Sequence, residues 1–97
     1  MRIIAIKALR EFWERYPDAE QPLRAWYADA KSSTWESPLD ITNTYAAASI
    51  LPGNRVVFNI KGNRYRLIVH IHYKSGIVHI RFVGTHQEYD RIDAIEI

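Results

Sequence analysis

Two stripes of hydrophobic residues at helical spacing occupy the first third of the chain. The first stripe comprises Leu9, Phe12, Trp13 and Tyr16. The second comprises Leu23, Trp26, Tyr27 and Ala30. Residues spaced i, i+3, i+4 and i+7 share one face of an α-helix, so the pattern predicts a helical hairpin with a break at Pro17. Asp18 is the predicted N-cap of the second helix, and Gln21 would complete a capping box.

Shorter elements are predicted on both sides of this hairpin. Ile3, Ile4 and Ile6 indicate a short buried strand before the first helix. Ser37 and Asp40 flank a proline with the spacing of an N-cap and an N3 acid, which predicts a brief helical turn after the second helix.

From residue 55 onwards the hydrophobic period becomes that of a β-strand. Segments 55–60, 64–73 and 78–84 are rich in Val, Ile, Phe and Tyr, and loops at 62–63 and 74–77 separate them, which predicts two β-hairpins. The register is argued from matching faces, because a slip of one residue would turn every side chain over. The expected apolar pairs are Ile60–Tyr65, Phe58–Leu67, Val56–Val69, Tyr73–Val78, Ile71–Ile80 and Val69–Phe82.

The opposite face of the predicted sheet is polar and basic. The expected pairs on this face are Asn59–Arg66, His70–Arg81 and His72–His79. The elements together predict an α+β fold in which an N-terminal strand and a helical hairpin pack on an antiparallel sheet, with a short C-terminal helix at the end.

The basic residues of this face come from a part of the chain that contains no acid. The net charge is only +2, yet residues 41–87 contain six Lys or Arg, all four His and no acid. Three interpretations are open: a solvated face, a surface for phosphate backbones, and a metal site formed by His70, His72 and His79. Against the metal site, arginines would lie beside the dication, and no carboxylate near in sequence would orient the imidazoles.

Length and composition exclude further classes of protein. With 97 residues, the chain is expected to form a single domain spanning residues 1–97. The absence of cysteine excludes disulfides, thiolate zinc sites and cysteine nucleophiles. No apolar run approaches the roughly 18 residues that span a membrane, and no secretory signal is visible, so the expected location is cytoplasmic, away from membranes.

The end of the last strand carries the strongest candidate for chemistry. Thr85 and Glu88 have the spacing of a capping box, which predicts a short helix. This helix would hold His86 and Tyr89 at the edge of the basic face. An imidazole exchanges protons near neutral pH, and beside arginines that bind phosphate it suits RNA cleavage without a metal ion.

Two long motifs resemble a known family. Segments 55–68, RVVFNIKGNRYRLI, and 82–90, FVGTHQEYD, are similar to the HigB branch of the RelE-like toxins, the toxin halves of bacterial type II toxin–antitoxin pairs. The resemblance extends over nearly the whole chain. It implies a RelE-like small domain with a β-α-α-β-β-β core and a terminal helix, in agreement with the layout predicted above.

The resemblance also implies a function, that of an endoribonuclease, or mRNA interferase, which usually cuts mRNA on the ribosome and needs no cofactor or metal. It implies a HigA-type antitoxin with a helix-turn-helix domain, which masks the toxin. Carried onto this chain, the expected catalytic residues are Lys61, Arg66, Arg81, His86 and Tyr89. The expected RNA-binding residues are Arg55, Asn59, Arg64 and His70.

The expected reaction is attack of the ribose 2′-OH on the adjacent phosphate, which gives a 2′,3′-cyclic phosphate and a 5′-OH end. Arg66 and Arg81 would stabilise the charge on the pentacoordinate phosphate, and Lys61 would hold a flanking phosphate. His86 would act as general acid or base, while Tyr89 would stack on a base or share the proton transfer. The alternative is a non-catalytic RNA-binding or regulatory module that uses the same sheet.

Overall fold

One mixed sheet of five strands organises the protein, and the computed structural model describes all 97 residues. The elements in chain order are β1 Arg2–Ile4, α1 Lys7–Arg15, a 3-10 turn Pro17–Ala19, α2 Glu20–Ser32, α3 Pro38–Thr44, β2 Ser49–Leu51, β3 Arg55–Ile60, β4 Tyr65–His72, β5 Ile77–Thr85 and α4 His86–Tyr89. The strand order across the sheet is β1-β5-β4-β3-β2. The predicted α+β fold, with its N-terminal strand and short C-terminal helix, is confirmed.

The N-terminal strand joins the sheet at one edge. β1 pairs in parallel with β5, with Ile3 opposite Val78, while the remaining pairs are antiparallel. The prediction that this strand is buried is wrong in detail, because Ile3 is half-buried and Ile4 is exposed. An edge strand has only one neighbour, which leaves part of its surface to solvent.

Helices α1, α2 and α3 cover one face of the sheet, and aromatic side chains fill the layer between them. Phe58 on β3 lies at the centre, with its ring centroid 5.5 Å from Trp26 and 5.1 Å from Tyr45. Trp35, from the loop after α2, stacks on the same ring at 6.0 Å. The core face of the sheet that the alternation predicted is therefore buried by the predicted helical hairpin together with α3.

Asp18 does not act as the predicted N-cap. The chain forms a 3-10 turn there, α2 begins at Glu20, and Ala19 at the N-cap position makes no side-chain capping bond. The Asp18 carboxylate instead accepts a hydrogen bond from the Tyr65 hydroxyl and binds the basic turn between β3 and β4. Contacts with residues distant in sequence have therefore replaced the predicted N-cap of α2.

The predicted cap of α3 is also absent. Ser37 occupies the N-cap position without a side-chain hydrogen bond, and Asp40 accepts from the Glu36 amide at 2.8 Å. The predicted brief turn is a helix of seven residues.

The first hairpin has the predicted register, with Ile60 opposite Tyr65 and Asn59 opposite Arg66. The second hairpin does not. Ile71 pairs with Val78 and not with Ile80, because the turn is shorter than predicted and His72 already pairs with Ile77. Gly76 in this turn has a φ of +70°, which suits glycine. The apolar alternation tolerated this error because a shift of two residues preserves the faces.

A β-bulge follows in β5. Val69 pairs with Ile80 whereas Ile68 pairs with Phe82, so one extra residue, Arg81, is accommodated between them. Beyond the bulge the faces of β5 are reversed relative to the prediction. Val83, and not Phe82, packs against the main core.

The second face of the sheet is less open than its polar sequence predicted. Val57 and Ile68 are buried here, outside the main core cluster. The chain after α4 returns over this face, where the Arg55 guanidinium donates to the Ile97 main-chain oxygen at 2.9 and 3.1 Å. No helix combines the length and apolar composition needed to cross a lipid bilayer.

The Asp18 contacts predict a pH-dependent contribution to stability. The hydrogen bond from Tyr65 is the main cause that lowers the pKa of Asp18 below its usual 3.8, with Lys61 and Arg64 adding to it against partial burial. A lowered pKa stabilises the fold above the unfolded value, and this stabilisation is lost as the pH falls through the folded value. We expect Asp18→Asn to lower Tm at neutral pH, with a difference from wild type that shrinks below pH 3.8.

The matched control is Glu14→Gln on α1, which removes an exposed carboxylate that forms no ion pair. Thermal unfolding of the three proteins across acid and neutral pH measures the effect. A Tm difference between wild type and Asp18→Asn that is the same at all pH values would contradict the assignment.

Candidate active site on the sheet face

The junction between β5 and α4 is fixed by the predicted capping box. The Thr85 hydroxyl accepts a hydrogen bond from the Glu88 amide at 3.1 Å, and the Glu88 carboxylate accepts from the Thr85 amide at 2.9 Å. The His86 amide donates to the Arg64 carbonyl at 3.2 Å, which continues the ladder between β4 and β5. These bonds hold α4 directly beside the first residues of β4.

Arg66 and Tyr89 are brought together by this junction. The Arg66 guanidinium carbon lies 5.7 Å from the Tyr89 ring centroid, a cation–π geometry. Arg66 also donates to the Asn63 carbonyl at 2.8 Å and forms no ion pair with a carboxylate. Asn59 is its cross-strand neighbour. A guanidinium in this state has donors left for a phosphate.

His86 stands on the first residue of α4 and has an acidic partner that sequence reasoning missed. Its Nδ1 lies 3.1 Å from the Asp90 carboxylate, and its side chain is half-exposed. A carboxylate on one ring nitrogen fixes the orientation of the ring and leaves Nε2 as the available proton donor or acceptor. The signal was present in the sequence, since residues spaced i and i+4 meet on a helix.

Lys61 and Arg64 lie in and beside the β3–β4 turn, and both are paired with Asp18. The Lys61 ammonium is 3.2 Å and the Arg64 guanidinium 3.1 Å from the same carboxylate oxygen. Arg64 also lines a shallow pocket with His86 and Tyr16. The structure therefore places Arg64 beside the imidazole, whereas Lys61 is tied to the loop between α1 and α2.

A second group of basic side chains lies further along the strands. Arg55, His70 and His79 face one another across β3, β4 and β5, so the predicted pairs His70–Arg81 and His72–His79 are wrong. His72 pairs with Ile77 instead, and Arg81 is exposed in the bulge. The earlier closure of the second hairpin is the reason for both changes.

The environment of His70 is cationic. Its pKa is lowered from the usual 6.5, first by burial and then by the charges of the four basic side chains around it. These are His72, Arg55, Arg81 and His79. The His70 and His72 ring centroids are 4.6 Å apart. No group of three or more His, Asp or Glu side chains is gathered closely enough to hold a metal ion.

The arrangement as a whole defines a class of protein, a small α+β domain with a basic sheet face and an imidazole–carboxylate pair at its edge. The family profile described as HigB toxin, RelE-like toxic component of a toxin–antitoxin system, matches residues 19–92. The chain belongs to this family, as its two motifs indicated.

Curated relatives agree over a longer stretch. The mRNA interferase toxin HigB of Escherichia coli (strain K12) is 28% identical over 97 residues, which cover 98% of this chain and 93% of the relative. The mRNA interferases HigB of Escherichia coli O157:H7 and Shigella flexneri match with the same identity and coverage.

The capping box predicts a measurable link between this junction and stability. Thr85→Ala removes the hydroxyl that accepts from the Glu88 amide, and loss of an N-cap costs about 1 kcal/mol. We expect this decrease in the free energy of unfolding from urea denaturation, and faster amide exchange in α4. Thr44→Ala is the control, because it changes an exposed threonine at the end of α3. Equal stability of the two variants would show that the cap does not hold α4.

Proposed function

We propose that this family member acts as an endoribonuclease that cleaves mRNA, with its active site at the junction of β4, β5 and α4. The observation that carries the proposal is the convergence there of an unpaired arginine, an aromatic ring and an imidazole oriented by a carboxylate. These groups are Arg66, Tyr89, His86 and Asp90. The names of the relatives, mRNA interferases, support the same substrate.

The proposed reaction is intramolecular transesterification. The ribose 2′-oxygen loses its proton and bonds to the adjacent phosphorus, the bond from phosphorus to the 5′-oxygen breaks, and that oxygen takes up a proton. The products are a 2′,3′-cyclic phosphate and a 5′-OH end. The reaction needs proton transfer and stabilisation of negative charge, and side chains can supply both.

The roles follow from the contacts of each residue. Arg66 stabilises the extra charge on the phosphate, since it has guanidinium N–H groups that no carboxylate engages. His86 transfers the proton through Nε2, and Asp90 positions its ring. Tyr89 packs on Arg66 and stacks on a base of the substrate. Lys61 holds a flanking phosphate only if it exchanges Asp18 for RNA.

The substrate complex and the inhibitor are also proposals, argued from the site contacts and the family description. A message bound on the ribosome is the proposed substrate, and Asn59 and Arg64 are proposed RNA contacts beside Arg66 and His86. A HigA-type antitoxin with a helix-turn-helix domain is the proposed inhibitor, in line with the toxin–antitoxin description of the family.

Cleavage of a translated message tests the proposal. We expect Arg66→Ala to slow cleavage by on the order of a hundredfold or more, and His86→Ala by about 10²–10⁴-fold, because each removes a group that acts in the transition state. Primer extension on a translated message, with growth arrest as a second readout, measures both. The control is Arg10→Ala on α1, an exposed arginine without an ion pair.

The outcomes separate the alternatives. Wild-type protein that binds RNA but leaves a translated message intact would refute the nuclease and support a non-catalytic RNA-binding module. Equal cleavage by all variants would refute the site. Cleavage of the same message without a start codon would refute dependence on translation while leaving the nuclease in place.

Asp90 is tested as a positioning residue through His86. Asp90→Asn is expected to lower kcat with little change in KM, because the ring loses its orientation while RNA contacts remain. In a His86→Ala background the same change should have almost no further effect, since residues that act together are not additive. Additive losses in the double variant would assign Asp90 a separate role.

A further inference from the structure

A cationic cluster lies outside the proposed active site, and it includes Arg81, Arg55 and His70, which were expected to serve in catalysis or RNA binding. It consists of Arg55, His70, His72, His79 and Arg81, and is called here the histidine–arginine cluster. Cross-strand pairing places Arg55, His70 and His79 in one row over three strands. His72 adds a ring 4.6 Å from that of His70, and Arg81 projects from the bulge.

No acidic side chain pairs with the cluster, although Asp93 and Glu96 lie on the segment after α4 that passes over this face. None of its five side chains forms an ion pair with Asp or Glu. Arg55 makes one further contact, in which its guanidinium donates to the Ile97 main-chain oxygen. Cations gathered without carboxylates repel one another, so the arrangement favours an anionic ligand. The pKa of His70 is lowered first by burial and then by this repulsion.

We propose that the histidine–arginine cluster is a second phosphate-binding subsite for the RNA strand that is cut at Arg66 and His86, and that it binds more tightly when its histidines are protonated. This inference rests on the proposed function. The ligand is the backbone phosphate of single-stranded RNA, and the regulating ligand is the proton.

The position of the cluster suits this role. His70 follows Arg66 by four residues on β4, so both side chains are on one face of the sheet, roughly 13 Å apart at about 3.3 Å per residue. Ile68 lies between them on this face and is buried, so an RNA strand that reaches both would pass over the segment that covers it. The chain after α4 ends at Arg55, whereas His72 and Arg81 remain exposed on β4 and β5.

Protonation and binding are linked at such a site. A phosphate stabilises imidazolium over imidazole, so binding of RNA takes up protons wherever a histidine is neutral in the free protein. Each additional phosphate that is neutralised also steepens the salt dependence, by about 0.7 in the slope of log K against log salt for single strands. The subsite therefore has two signatures, in pH and in salt.

The experiment measures affinity without cleavage. A short single-stranded RNA with 2′-O-methyl riboses cannot form the cyclic phosphate, and its Kd is measured over a salt series at about pH 6 and about pH 8. We expect binding on the order of tenfold tighter at the lower pH, the change produced when one imidazole shifts its pKa by one unit. The salt slope should be steeper there as well.

Variants separate the cluster from the rest of the protein. A triple variant with His70→Gln, His72→Gln and His79→Gln should abolish most of the pH effect, while His72→Lys with His79→Lys should keep tight binding at the higher pH. His86→Gln is the matched control, because it changes the one histidine outside the cluster and should keep the pH effect although cleavage is lost. Circular dichroism confirms that each variant is folded.

Each outcome is decisive. Equal affinity and salt slope of wild type at both pH values would overturn the proposal, as would a pH effect that survives in the triple glutamine variant or disappears in His86→Gln. Cleavage by wild type with pH-independent binding would refute only the subsite. Proton-linked binding without cleavage of a translated message would refute only the nuclease.

Discussion

The bulge in β5 is the constraint on which the site depends. An extra residue at Arg81 shifts the pairing so that Arg66 lies opposite Gly84 and Tyr65 opposite Thr85. The strand therefore ends level with the start of β4, and α4 begins where Tyr89 can lie against Arg66. Without the shift, α4 would start at a different level along β4, and the imidazole would no longer be beside Arg64.

Gly84 meets a steric demand created by the same shift. A Cβ at this position would lie 2.5 Å from the ring of Phe82 and 3.2 Å from the Glu88 carboxylate that completes the capping box. The lack of a side chain lets Phe82 fold over the strand while Glu88 reaches the Thr85 amide. The bulge, the glycine and the capping box thus act together to join β5 directly to the short helix α4.

Periodicity and face matching were enough to predict the class of fold, the helical hairpin and the register of the first hairpin. Neither predicted the second register, because moving the first half of β5 by two residues against β4 leaves its apolar side chains on the correct face, and the bulge then reverses the faces beyond it. Asp18 shows a different limit. Its sequence context favours a cap, but Tyr65, Lys61 and Arg64, far away in sequence, provide stronger partners.

The candidate site, too, was predictable only in part. Arg66, His86 and Tyr89 were predictable because the spacing of the capping box placed two of them and strand alternation placed the third. The path of the chain after α4 was not predictable, because residues 91–97 mix charged residues with isoleucine and alanine and show neither a helical nor a strand period. The contact of Arg55 with Ile97 and the burial of Ile68 are therefore seen only in the structure.

The basic half of the chain is subdivided in the folded protein. Asp18, contributed by the helical half, neutralises the end of the sheet at the β3–β4 turn. Arg66 stays unpaired beside α4, and the cationic residues further along the strands lack acids altogether. The acid-free stretch of the sequence thus forms three surfaces that differ in how far acidic side chains neutralise their positive charge.

The parallel pairing of β1 with β5 has a consequence for biosynthesis. The first strand of the chain finds its partner only at Ile77–His79, so the sheet stays incomplete until the last quarter of the sequence has been made. His86 and Asp90 follow later still. The candidate site can therefore assemble only when translation of the chain is almost over, because both the edge strand and the helix that carries the imidazole wait for the last residues.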